Sequence, residues 1–145
     1  MTHQQEIVAA ARRFLGARWR HQARADNAMD CAGLVIKVAK ELGFIDWDIT
    51  NYERDASEDA MLSVCRAHLV EIPRAVLAPG DLVVLRYATN HIGIVGDYPV
   101  AGHLSLIHAQ VKEPRCVVEN RLCDDWLKMV GARVVACFRF PEKVA

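Results

Sequence analysis

Cys31, His91 and His108 are the side-chain types that cysteine-based acyl transfer requires. In that chemistry a thiolate is the nucleophile, and an imidazole pairs with it and then protonates the leaving group. A third polar group fixes the imidazole's orientation. Cys31 is the second residue of DCAGLVIKVAKELG, residues 30–43. The spacing of Leu34, Val35, Val38 and Leu42 predicts an amphipathic helix with one apolar stripe. Asp30 is placed as its N-cap and Gly43 as the left-handed residue that ends it. A thiol in the first turn lies beside unpaired backbone N–H groups and the positive end of the helix dipole, and both favour the anion. Gly33 permits a backbone or a substrate to approach closely. Cys31 as a small buried hydrophobe fits the same helix equally well. His91 opens the run HIGIVGD and His108 lies near the end of LSLIHAQ. If those runs are neighbouring strands, both rings reach one face and meet Cys31. On spacing alone His21, His68 and His103 are also available.

The elements that must position these groups follow from periodicity and turn signals. Residues 4–15 predict a first helix with Ile7, Ala11, Phe14 and Leu15 on its inner face, ended by Gly16. The connection from Ala17 to Met29 is polar and rich in Arg, and Trp19, His21 and Gln22 stand just upstream of the Cys31 helix. A loop leading into a reactive helix terminus commonly lines the site. Residues 44–56 read as irregular, anchored on the core by Trp47 and Tyr52. A third helix is expected over 58–69, capped by Ser57, with Cys65 and His68 on it as packing residues and not metal ligands. The second half turns to short β-rich runs. Pro79-Gly80 makes a turn, strands follow at 81–87 and 91–97, then 104–110 and 116–119, a helical turn near 124–128 and a last strand at 133–140. Helices first and strands afterwards predict an α+β fold, with the N-terminal helices packed on a C-terminal antiparallel sheet.

Length and composition set the bounds. At 145 residues the expectation is one domain, 1–145, with a single hydrophobic core. Eighteen basic residues balance eighteen acidic ones, which leaves no global field to draw nucleic acid or an anionic membrane. No run has the length of a membrane span. Glu6, Arg12 and Arg13 interrupt any secretory signal at the N-terminus, so a cytoplasmic site of synthesis is expected. Five cysteines without a CxxC pair favour reduced thiols over a disulfide scaffold.

DCAGLV at 30–35, PGDLVVL at 79–85, HIGIV at 91–95 and LIHA at 106–109, in this order, resemble the NlpC/P60 family of cysteine peptidases. WRHQ at 19–22, VVE at 117–119 and WLKMVGARVVACFRFPE at 126–142 resemble, more narrowly, the phage-encoded cell-wall peptidases associated with tail assembly. The resemblance implies a papain-like core with Cys31 as nucleophile, His91 as base and His108 as the residue orienting His91. It also implies that Trp19, His21 and Asp30 border the substrate. Family members hydrolyse peptide bonds in peptidoglycan stem peptides, often the bond from D-glutamate to a diamino acid, and no metal or organic cofactor is implied. Phage tail-tip proteins are the implied partners, with action at the cell wall from the virion tail.

Three departures bear on the resemblance. Trp19 stands in GARW where relatives usually have a Tyr. Ala32 replaces a frequent Ser, and no separate wall-binding module is expected in 145 residues. Two other readings are an amidase or acyl or peptidyl transferase on the same fold, and a structural tail component with a silent site.

Overall fold

The computed structural model describes residues 1–48, 58–98, 100 and 102–143; Tyr52 and Ser57, expected as a core anchor and a helix cap, lie outside the described residues. Helix α1, His3–Arg12, starts at a capping box in which Thr2 and Gln5 each satisfy the other's backbone N–H. Ile7, Val8, Ala10 and Ala11 form its buried face. The helix stops at Arg12, earlier than the periodicity predicted, and helical spacing no longer governs residues 13–15. Phe14 stays in the core, whereas Leu15, expected inside, is 44% exposed.

A small ribbon comes next, too short to leave a pattern in the sequence. It contains β1, Arg18–Trp19, β2, Arg24–Ala25, and β3, Ala28–Met29, in the order β1-β3-β2. It leads directly into α2, Cys31–Glu41, whose Leu34, Val35 and Val38 are buried as the stripe predicted; Ala39 is buried with them, and Leu42, also expected there, is half-buried. Gly43 follows at φ +81°. In α3, Glu58–His68, Cys65 is buried, and the His68 ring lies 4.3 Å from that of Trp47. Cys65 thus belongs to the core, while His68 is exposed and meets only the Trp47 ring among the aromatic contacts of the described residues.

The remaining strands are β4, Val70–Ile72; β5, Leu82–Arg86; β6, Asn90–Asp97; β7, Leu104–Ala109; β8, Val117–Arg121; and β9, Arg133–Arg139. They form one antiparallel sheet in the order β4-β9-β5-β6-β7-β8. The first of these, at the edge, was not expected from the sequence. Leu82, Val83, Val84 and Leu85 of β5 are all fully buried, because an inner strand covered on both faces has no solvent side to alternate with. One cover is α1 and α2, packed on Leu82, Val84, Ile92, Ile94 and Ile107. The other is α4, Asp124–Val130, whose Leu127 closes a smaller core with Val83, Leu85, Val95 and Leu106. The architecture is α+β. Among the described residues no helix is long and apolar enough to cross a membrane.

Candidate active site

Residues 19–22 are held against the chain that enters Cys31. Trp19 pairs with Met29, the Arg20 N–H donates to the Met29 carbonyl at 3.1 Å, and the Gln22 N–H donates to the Asp30 carboxylate at 2.8 Å. Trp19 and His21 are both half-buried in this segment. The indole packs on the same core as Cys31, and the Arg115 guanidinium lies 5.7 Å from its ring centre. Gly33 explains how the segment fits. A Cβ there would stand 2.6 Å from the Ala23 carbonyl oxygen, so the approach that Gly33 permits is that of the loop backbone.

Asp30 anchors the start of α2. As an N-cap it is as predicted: Oδ1 accepts from the Gly33 N–H at 2.7 Å and from the Arg24 guanidinium at 3.2 Å, while Oδ2 accepts from Gln22. The residue is only 4% exposed. A carboxylate held by these three donors fixes the start of α2 and with it the position of Cys31. Asp30→Ala leaves two buried N–H groups and a guanidinium short of an acceptor. The expected cost is about 2–3 kcal/mol, or ~6–10 °C in Tm, read by calorimetry. A shift under 2 °C would show the cap to be dispensable.

Cys31 begins α2 with its thiol facing the backbone N–H groups of Ile92, of Ala32 and of its own residue. Ile92 directly follows His91 on β6, so the thiol lies beside the first residues of that strand. The His91 and His108 rings meet as expected for neighbouring strands, with Nε2 of His91 2.7 Å from Nδ1 of His108. Gly93 makes room for the meeting. One step beyond the Ile94–Ile107 pair, it faces His108, and a Cβ there would stand 3.0 Å from the His108 Cβ and 2.6 Å from Leu106 Cδ1.

His108 is fully buried. Its Nε2 lies 2.6 Å from Oδ1 of Asn120 on β8, and the Trp126 ring of α4 closes on it edge-to-face at 5.7 Å. Asn120 and Trp126 were missed in the sequence. Asn120 had one available signal, as it lies two residues after Val118, the register partner of His108, and so points to the same face. His103 and His68 are elsewhere: Arg121 donates to Nδ1 of His103 at 2.8 Å, and the His68 ring meets that of Trp47 at a tilt of 41°. Among the described residues no group of three or more His, Cys, Asp and Glu is arranged to hold a metal ion.

The electrostatics invert one expectation. Burial pushes the Cys31 thiol up to about 11, and the adjacent Asp30 carboxylate adds to this. The N–H groups at the helix start act in the predicted direction but are outweighed. Burial likewise drives His91 down to about 3, with His108 contributing, and lowers His108 against the opposing pull of Asn120. The enclosed site therefore rests as neutral thiol beside neutral imidazole.

These shifts set an acid limit on stability. Both histidines are depressed in the folded state, so below about pH 6.5 the unfolded chain takes up protons that the folded chain does not. The stability is present above that pH; the His91 part is lost progressively as pH falls toward 3, at up to about 1.4 kcal/mol per pH unit, and His108 adds in the same direction. Tm is expected to be level from pH 8 to 7 and to drop by at least ~5 °C between pH 7 and 5. A level Tm over that lower interval would show that the rings are more readily protonated in place than their burial implies.

Neither a family model nor a curated protein sequence matches this chain. Solved structures do. The NlpC/P60 domain of the peptidoglycan hydrolase SagA aligns with a TM-score of 0.60 and 17% identity, covering 93% of this chain and 97% of that one. NlpC1 from Trichomonas vaginalis gives 0.64 at 17% identity, covering 94% of this chain and 44% of its own. An NlpC/P60 family protein from Bacillus cereus gives 0.63 at 18% identity, covering 94% and 40%. This chain thus spans less than half the length of the latter two and nearly all of the SagA domain. Helices that deliver Cys31 to the start of the inner strand β6 of an antiparallel sheet, with His91 and His108 on adjacent strands, are arranged on the fold of the NlpC/P60 domains.

Proposed function

We propose that this chain is a cysteine peptidase of the NlpC/P60 family that hydrolyses peptide bonds in peptidoglycan stem peptides. The observation that supports it most is the order of groups on this fold: a thiol at the start of α2, an imidazole at the start of β6, and a second imidazole behind the first at 2.7 Å. In the proposed cycle Sγ of Cys31 attacks the amide carbonyl while Nδ1 of His91 takes the thiol proton. Proton transfer concerted with attack suits a thiol that burial keeps protonated. Backbone N–H groups including that of Cys31 hold the oxyanion, and His91 then protonates the departing amine as the C–N bond breaks. Water attacks the thioester, His91 takes its proton, and the acid product leaves with Sγ re-protonated. The bond from D-glutamate to a diamino acid is the proposed target.

Mass spectrometry of defined muropeptides tests this, with two fragments whose masses sum to the substrate plus one water as the expected product. A product extended by an added amine would identify a transferase instead, and no change would leave the silent tail component. Trp19 and His21 are proposed to border the substrate. Trp19→Ala should raise KM several-fold with kcat within about twofold, because a wall of the cleft binds ground and transition states alike. Unchanged KM would make Trp19 a packing residue only. The phage-type resemblance of residues 126–142 supports a narrower proposal, delivery to the wall by tail-tip proteins, and proteomics of virions tests it.

A further inference from the structure

Resting on the proposed reading of His91 as base, we propose that Asn120 is a positioning residue that fixes the tautomers of both imidazoles and thereby selects Nδ1 of His91 as the basic atom. An amide oxygen only accepts, so the 2.6 Å contact to Asn120 Oδ1 requires a proton on Nε2 of His108. In a neutral ring that leaves Nδ1 of His108 as a lone-pair acceptor. The 2.7 Å contact between the rings is then satisfied by a proton on Nε2 of His91, which leaves Nδ1 of His91 unprotonated. That is the form a general base on the thiol requires, with its lone pair on the nitrogen that His108 does not occupy. Without an acceptor at residue 120, a neutral His108 can equally carry its proton on Nδ1. It would then donate to Nε2 of His91 and move the His91 proton to the nitrogen that should receive one.

The placement suits such a lock. His108 is fully buried and Trp126 covers it edge-on, so water is poorly placed to replace the Asn120 oxygen. The three side chains come from three consecutive strands of one sheet, β6, β7 and β8, whose ladders fix their spacing.

The test is 15N NMR of the imidazoles in the whole protein at pH 7.5, with Asn120→Leu, which keeps the shape and removes the acceptor, and Asn120→Asp, which keeps an acceptor. The wild type and Asn120→Asp should show both rings as Nε2–H tautomers. Asn120→Leu should show a tautomer mixture, and kcat on muropeptides should fall ~10–100-fold with KM little changed. Asn120→Leu rings that remain fully Nε2–H would overturn the proposal, as would a wild type whose rings carry their protons on Nδ1. If Asn120→Leu fails to fold, the wild-type tautomers and those of Asn120→Asp decide it. The tautomer reading needs no substrate, so a protein that cleaves no muropeptide would fail the peptidase proposal and leave this one standing or falling on its spectrum.

Discussion

Cys31→Ala should abolish muropeptide cleavage, with a fall of at least ~1,000-fold, while the domain keeps its fold and its Tm to within about 2 °C. The two halves of this expectation have different causes. The substitution removes only Sγ, and the side chain is half-buried, packed beside the main core and not within it. The bonds that hold the start of α2 belong to Asp30, so the helix keeps its cap. Activity is lost because none of the other four cysteines stands at the start of α2 to form the acyl intermediate. Cys65 and Cys137 are buried, and Cys116 and Cys123 lie next to the two ends of β8. Cleavage rates on a defined stem peptide, with calorimetry on the same preparation, check both halves. Retention of a tenth of the wild-type rate would remove Cys31 as the nucleophile.

His91→Ala and His108→Ala should separate in opposite orders. Loss of the base should reduce kcat by about a thousandfold, whereas loss of the residue that orients it should cost ~10–100-fold. For stability the ranking reverses. His108 is fully buried under Trp126 and bonded at both ring nitrogens, so its removal leaves a cavity and an unpaired Asn120, at about 2–4 kcal/mol. His91 is half-buried at the strand start, so its removal leaves little cavity, and the main cost is Nδ1 of His108 losing its partner, about 1–2 kcal/mol. Denaturant titration beside steady-state kinetics reads the two scales. Losses of activity that merely follow losses of stability would mean that neither histidine has a chemical role.

Much of the frame was legible in the sequence because it rests on short-range periodicity. The stripe Leu34, Val35, Val38 fixes the buried face of α2, and with it the end at which Cys31 emerges. The Pro79-Gly80 turn and the apolar β-branched runs after it marked strands at 81–87 and 91–97, close to β5 and β6, which brings His91 to a strand start. The two-residue strands of the ribbon and β4 at the sheet edge left no such trace, since a period of two cannot be recognised in two or three residues. Leu15 was misplaced for a related reason: its helical spacing to Ala11 holds only while the helix continues, and it stops at Arg12.

The site itself was decided by contacts between residues far apart in the chain. Sequence spacing could not choose among His21, His68, His91, His103 and His108, because a choice needs the register that sets His108 diagonal to His91 across a bare Gly93. Asn120 enters through the next register, of β7 with β8. Burial was the other tertiary variable. Local sequence places Cys31 at a helix start, where N–H groups favour its anion. How much of that stabilisation survives depends on how completely the sheet and the residues 19–22 segment exclude water. Here exclusion wins, and the thiol stays protonated. Helix caps and stripes are properties of neighbours in sequence; the dielectric around a thiol and the donor order of two imidazoles belong to the assembled fold.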